Sequence, residues 1–184
     1  MDRLHKAAII TRLAQELREH GSWCGETHLQ KAAYFLQELL QVPLEFQFIL
    51  YKHGPFSFDL RDELAALQAD ELLRPEPHPP YGPKVATTER AQYIQGLYPK
   101  TVAKYERQIA LVANRLGPAD VATLERLATG LYVTKNAEGL EGPATVEARA
   151  KELHRLKPHV SVEEAQEAIG EVDKFVEQAT AAAC

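Results

Sequence analysis

The side chains best suited to surface chemistry are concentrated between residues 51 and 56. This short stretch combines two aromatic rings, an ammonium group, an imidazole and a Gly-Pro turn. Exposed aromatic rings beside a cation are typical of the residues that dominate protein–protein binding. The predicted partner-binding residues are Tyr51, Lys52, His53, Gly54, Pro55 and Phe56.

A purely structural role for the same stretch stays open. In that interpretation the rings of Tyr51 and Phe56 clamp the turn onto the core, while Gly54 supplies the backbone freedom that a turn needs. We favour the structural role for Phe56 and leave both roles open for Tyr51 and His53. Lys52 and His53 carry polar groups that are rarely buried without partners, so we expect them at the tip of the turn.

The rest of the sequence contains no recognisable catalytic or metal-binding motif. It has no phosphate-binding glycine loop, no zinc-protease helix and no nucleophile elbow. His154 and His159 flank Pro158, but two ligands are too few for a closed metal site. The two cysteines form neither a disulfide framework nor a zinc-binding spacing. We therefore predict no catalytic residues, no metal, no cofactor and a protein that is not an enzyme.

Composition and charge narrow the functional classes further. The chain has 184 residues, of which 45% are apolar and 26% charged, and its formal net charge is −5. These values are typical of a globular domain and exclude a disordered chain or a membrane span. The negative net charge disfavours general electrostatic binding to nucleic acid or anionic lipid. Arg12 interrupts the first apolar run, which is therefore not a secretory signal, and we expect a cytoplasmic location.

The elements that must position the turn are predicted from periodicity and capping. Apolar residues spaced by three and four predict a helix over residues 2–20 and a second one, capped by Thr27, to about residue 41. Alternating residues predict a strand within 45–51, which the following turn ends. Ser57 is expected to cap a third helix, and the proline-rich segment 72–88 to form a two-stranded ribbon. We expect strands in these two segments only.

From residue 89 onward the periodicity is entirely helical. Ser161 and Glu164 have the spacing of a capping box for the last helix, and Gly139–Pro143 is predicted to be a loop. The predicted fold class is mainly α (α+β). A winged-helix-like N-terminal unit with a small β ribbon, residues 1–88, is followed by an antiparallel helical bundle, residues 89–184, and the two are expected to pack as one domain.

The winged-helix order raises the alternative of a DNA-binding transcriptional regulator. In such a protein the helix before the ribbon reads the bases. That helix here has only Arg61 as a cation against four carboxylates, those of Asp59, Asp62, Glu63 and Asp70. Because each phosphate contact needs a cation, binding to duplex nucleic acid is disfavoured.

A helix motif and the 51–56 turn occur in order between residue 27 and about residue 73. A Leu-Gln-Lys-aliphatic-aromatic helix is followed by an aromatic strand and a turn that contains Tyr, Gly-Pro and an aromatic residue. The positions that carry this pattern are Leu29, Gln30, Lys31, Tyr34, Phe35, Tyr51, Gly54, Pro55 and Phe56. The segment resembles the YwgA-like and Panacea (SocA-like) antitoxin domains and is similar to the C-terminal, toxin-neutralising domain of DarG-type antitoxins. His53 stands where that turn commonly has a tyrosine.

The resemblance implies a small bacterial regulatory protein that binds another protein, such as a cognate toxin of a toxin-antitoxin system. The sequence contains no counterpart of the DarG macrodomain, so the hydrolase activity of that domain is not implied. The negative net charge would complement a basic surface on such a partner. A homodimer is compatible with the sequence, and we expect no membrane partner.

Overall fold

The computed structural model describes residues 1–137 and 144–183, and over these the chain is mainly helical with two small antiparallel sheets. This confirms the predicted mainly α (α+β) class. The loop predicted at Gly139–Pro143 lies outside the described residues.

The described residues contain eight α-helices and four strands. The helices are α1 (Arg3–Glu19), α2 (Glu26–Glu38), α3 (Phe58–Ala69), α4 (Glu89–Leu97), α5 (Pro99–Leu116), α6 (Val121–Lys135), α7 (Val146–Leu156) and α8 (Val162–Ala183). The strands are β1 (Ile49–Tyr51), β2 (Gly54–Phe56), β3 (Leu73–His78) and β4 (Tyr81–Thr87).

The chain divides into two compact units. Unit 1 comprises Met1–Ile49 and Phe56–Ala119, and unit 2 comprises Leu50–Pro55 and the chain from Asp120 onward. The sequence placed the boundary near residue 88, whereas the units divide after Ala119. The physical reason is that α4 packs against α1, and α5 against both α1 and α2, so these two helices complete the N-terminal core.

Unit 1 is built around α1, whose predicted apolar stripe of Ile10, Leu13, Ala14 and Leu17 is buried. Gly21 ends this helix with a φ of +82°, a left-handed conformation that glycine adopts at little cost. Helix α2 begins at Glu26 after Gly25, which makes no side-chain cap, so the predicted capping role of Thr27 is wrong. The predicted cap of α3 is confirmed, because the Ser57 hydroxyl accepts a hydrogen bond from the Leu60 amide at 3.1 Å.

The strands differ from the expectation in one respect. The strand predicted within residues 45–51 is confined to β1, and a second strand, β2, follows the turn that was expected to end strand structure. The cause is Gly54, whose φ of +85° turns the chain back so that residues 54–56 pair with β1. The predicted ribbon is confirmed as the antiparallel pair of β3 and β4, which pairs Leu73 with Thr87 at one end.

Unit 2 contains helices α6, α7 and α8, which pack on one another, together with the hairpin segment Leu50–Pro55. Its core contains an apolar cluster of Val133, Ala150, Leu153, Val160, Ala165, Ala168 and Ile169. The predicted capping box of α8 is confirmed: the Ser161 amide donates to the Glu164 carboxylate at 2.9 Å, and the Glu164 amide donates to the Ser161 hydroxyl at 3.1 Å. None of the helices in the described ranges combines the length and apolarity needed to cross a membrane.

Candidate functional site

The predicted partner-binding residues form a β-hairpin, residues 49–56, with Lys52 and His53 at its turn. Tyr51, Lys52 and His53 are exposed, and the Tyr51 side chain is 54% accessible. Gly54 and Pro55 are buried. The hairpin therefore exposes an aromatic ring, an ammonium group and an imidazole, while its second strand, β2, begins with two buried residues.

The two roots of the hairpin are fixed in unit 1 by glutamines of α2. The Gln30 side-chain amide donates to the Ser57 carbonyl at 2.9 Å and accepts from the Ser57 amide at 3.0 Å. The Gln37 amide does the same with Phe46, at 2.9 Å and 2.8 Å. We call each arrangement an amide clasp. Because Phe46 precedes β1 and Ser57 follows β2, the two clasps hold the chain on both sides of the hairpin.

The tip of the hairpin is fixed within unit 2 by Lys157, which caps the C-terminal end of α7. Its ammonium group donates to the carbonyl of Tyr51 at 3.1 Å and to the carbonyl of Lys52. The same group lies 3.2 Å from a carboxylate oxygen of Glu125 on α6. Lys157 is 5% accessible and Glu125 is 7% accessible, so this ion pair is buried. The backbone carbonyls at the tip are therefore bound by the cation of a buried ion pair.

Two exposed imidazoles face the same carboxylate. Nδ1 of His53 lies 3.4 Å from Oε2 of Glu125, and Nε2 of His159 lies 3.5 Å from Oε1. Both imidazole side chains are 63% accessible. Oε1 of Glu125 makes no hydrogen bond within the described residues, so its approach to Lys157 is a charge contact without hydrogen-bond alignment. The carboxylate thus lies between a buried ammonium and two surface imidazoles, and its Oε2 is within hydrogen-bond distance of His53 Nδ1.

Phe56 differs from the other five predicted residues. It belongs to unit 1, where its half-buried ring meets the ring of Phe58 edge-on with centroids 5.2 Å apart. This packing agrees with the structural role favoured for Phe56. The exposed part of the predicted set is confined to Tyr51, Lys52 and His53.

The α2 residues that carry the antitoxin resemblance are buried, namely Leu29, Gln30, Lys31, Tyr34 and Phe35. Gln30 has a clear structural task as the clasp of Ser57. This part of the motif describes how the hairpin is supported, and the exposed surface lies in the turn.

Other chemically reactive side chains serve the fold. Burial raises the pKa of the Cys24 thiol to about 12, so this cysteine stays protonated at neutral pH. Nδ1 of His154 lies 2.6 Å from the Val160 carbonyl, which ties α7 to the segment before α8. Over residues 1–137 and 144–183, no group of three or more His, Cys, Asp or Glu side chains is arranged to hold a metal ion.

The positive φ of Gly54 allows a direct test of the hairpin geometry. Gly54→Ala should lower the free energy of unfolding by about 1–2 kcal/mol, because an L side chain strains a left-handed backbone. Urea denaturation monitored by circular dichroism measures the change. Gly170→Ala is the matched control, since it lies inside α8 with open space at its Cβ position and should stabilise by roughly 0.5–1 kcal/mol. A neutral or stabilising Gly54→Ala would contradict the hairpin as described.

Sequence reasoning missed the residues that support the hairpin: Gln37, Glu125, Lys157 and His159. Gln37 carried a detectable signal, because it lies seven residues after Gln30 and therefore near the same face of α2. The other three come from α6 and from the end of α7, and no local pattern connects them to the turn.

Comparisons with known proteins do not assign the chain to a family. No model of a known protein family matches it, and no curated protein has a significantly similar sequence. The resemblance to antitoxin domains stays a prediction, and the functional argument depends on the hairpin and its supports.

Proposed function

We propose that this protein is a protein-binding regulatory module, acting in the cytoplasm like an antitoxin that neutralises a toxin by binding it, and not an enzyme. The binding surface is the hairpin tip, with Tyr51, Lys52 and His53 as contact residues. The observation that carries the proposal is that these three exposed side chains stand on a backbone held by the buried Lys157.

The physical basis of the proposal is preorganisation. A flexible loop loses conformational entropy when it docks, and this loss reduces affinity. Here the ammonium group of Lys157 fixes two consecutive carbonyls of the tip before any partner arrives. An exposed tyrosine on such a support offers a large apolar area with only two side-chain torsions to restrict, which favours a binding hot spot.

The first test is site-specific photocrosslinking of the full chain in its native cell. A photoreactive phenylalanine analogue placed at position 51 should capture one protein, and the same analogue at position 93 should not. Tyr93 is the matched control because it is also an exposed tyrosine, 69% accessible, but lies on α4. The captured protein should be toxic when expressed alone and harmless when expressed together with this chain. Capture through both positions, or a captured protein without toxicity, argues against the proposal.

The second test measures binding and stability on the same variants. Tyr51→Ala and His53→Ala should each weaken binding of the captured partner by about 1–3 kcal/mol, because each removes an exposed contact side chain. The melting temperature should change little, since Lys157 holds this part of the hairpin by its backbone. Calorimetric titration and thermal unfolding provide the two readouts. A lower melting temperature with unchanged affinity of the folded variant would support the structural role instead.

The alternative function, a winged-helix DNA-binding regulator, is favoured by the ribbon that follows α3 as a wing would. The exposed side chains of α3 oppose it, because Asp59 and Asp62 are both exposed and Arg61, its only basic residue, lies 3.2 Å from Asp62. We expect no appreciable affinity for random duplex DNA at physiological salt. Fluorescence anisotropy tests this, and a sub-micromolar dissociation constant at that salt would favour the regulator.

A further inference from the structure

The hairpin tip has a charge opposite to that of the chain as a whole. The formal net charge of the chain is −5, whereas the tip and its support contain two lysines, Lys52 and Lys157, against the single carboxylate of Glu125. Within the described ranges Lys52 forms no ion pair, and Glu125 is already neutralised by Lys157. The exposed charge of the tip is therefore positive.

Two exposed imidazoles, those of His53 and His159, lie at the same place. An imidazole N–H can donate a hydrogen bond to a carboxylate. Nδ1 of His53 and Nε2 of His159 both approach the carboxylate of Glu125 on α6, which pairs with Lys157. Both imidazole side chains are 63% accessible, so each can also reach a carboxylate of a partner.

We infer that the hairpin tip binds an acidic segment of a protein partner. The inference depends on the proposed function and specifies its partner by chemistry. Lys52 and the imidazoles of His53 and His159 pair with carboxylates, while the ring of Tyr51 packs against the partner's backbone. An acidic partner surface is the opposite of the basic surface that the net charge alone suggests.

The test uses the full chain, labelled with ¹⁵N, and two synthetic peptides of equal length, an oligoglutamate and an oligolysine. The oligoglutamate should shift the amide resonances of residues 51–53 and of His159 selectively, although the chain is acidic overall. Greater shifts with the oligolysine, or shifts spread evenly over the chain, would overturn the inference.

Variants separate the tip from general electrostatics. Lys52→Glu should weaken binding of the oligoglutamate by about fivefold, and Lys151→Glu, the same charge change at an exposed lysine of α7, should have little effect. Equal losses from the two lysine variants would overturn the inference.

Failure of this inference and failure of the proposed function have different signatures. If the partner captured through position 51 has a basic contact surface, the inference of an acidic segment is overturned, but the proposed function is still supported. If the oligoglutamate binds selectively at the tip but no partner is captured through position 51, the charge preference is supported and the proposed function is contradicted.

Discussion

Replacement of Lys157 by methionine is expected to lower the free energy of unfolding by about 3–5 kcal/mol. Methionine is close to lysine in length and keeps the apolar stem, so the variant removes mainly the charge and the hydrogen bonds. Glu125 would then be a buried carboxylate without its cation, and the carbonyls of Tyr51 and Lys52 would lose their donor. Guanidinium denaturation followed by circular dichroism measures the loss.

A second substitution divides this loss between its two causes. Adding Glu125→Gln to Lys157→Met removes the unpaired buried charge but restores no donor to the hairpin carbonyls. We therefore expect the double variant to recover part of the stability, and the remaining deficit to report the lost hydrogen bonds, roughly 1–3 kcal/mol.

An exposed lysine of the same unit supplies the control. Lys174 pairs with Glu171 at 2.7 Å, but its side chain is largely exposed. Lys174→Met should therefore change the free energy of unfolding by less than about 1 kcal/mol, the usual range for surface pairs. Equal losses from Lys157→Met and Lys174→Met would show that the buried pair does not hold the tip.

The sequence predicted those elements whose signals are local. Ser57 and the capping box of Ser161 and Glu164 were identified because a side-chain oxygen and the amide that it accepts from are three residues apart. The helices and the proline-rich ribbon followed from periodicities that need no distant partner. By contrast, β2 was missed because Gly-Pro is typical of a strand end, whereas Gly54 instead reverses the chain into a pairing strand.

The support of the site was not predictable, because its contacts are distant in sequence. Lys157 lies 106 residues after Tyr51, whose carbonyl it binds. Glu125 and Lys157 are charged residues in helical segments, where a periodicity argument assigns charged residues to the solvent side. Their burial becomes understandable only when the hairpin carbonyls and the two side chains are seen together. The sequence singled out the exposed residues of the tip, Tyr51, Lys52 and His53, but gave no indication of the residues that support them.

The amide clasps of α2 lead to the second large prediction. Gln30→Ala should lower the free energy of unfolding by about 2–4 kcal/mol, because it leaves the amide of buried Ser57 without its acceptor and removes one of the two donors to its carbonyl. The other donor to that carbonyl is the Arg61 amide, at 3.1 Å. The Ser57 hydroxyl also caps α3, so displacement of this residue weakens the first turn of that helix. Chemical denaturation measures the total loss, and faster hydrogen exchange of the Leu60 amide reports the weakened cap.

Gln37 provides a matched comparison within the same helix. Its clasp of Phe46 has the same two hydrogen bonds at nearly the same lengths, but Gln37 is only half-buried. Water can replace the lost partners there, so Gln37→Ala should cost about 1 kcal/mol, well below Gln30→Ala. The two glutamines are seven residues apart, or about 10 Å along the helix, and the two losses should add within roughly 0.5 kcal/mol.

A third variant separates hydrogen bonding from packing at the inner clasp. Gln30→Glu keeps the shape of the side chain and the acceptor for the Ser57 amide, but it replaces the donor with an oxygen that faces the Ser57 carbonyl. We expect it to be at least as destabilising as Gln30→Ala, because it buries a charge against a carbonyl. If Gln30→Glu were tolerated and Gln30→Ala were not, side-chain volume and not the clasp would explain the burial of Gln30. Equal costs for Gln30→Ala and Gln37→Ala would mean that burial does not set the strength of the clasps.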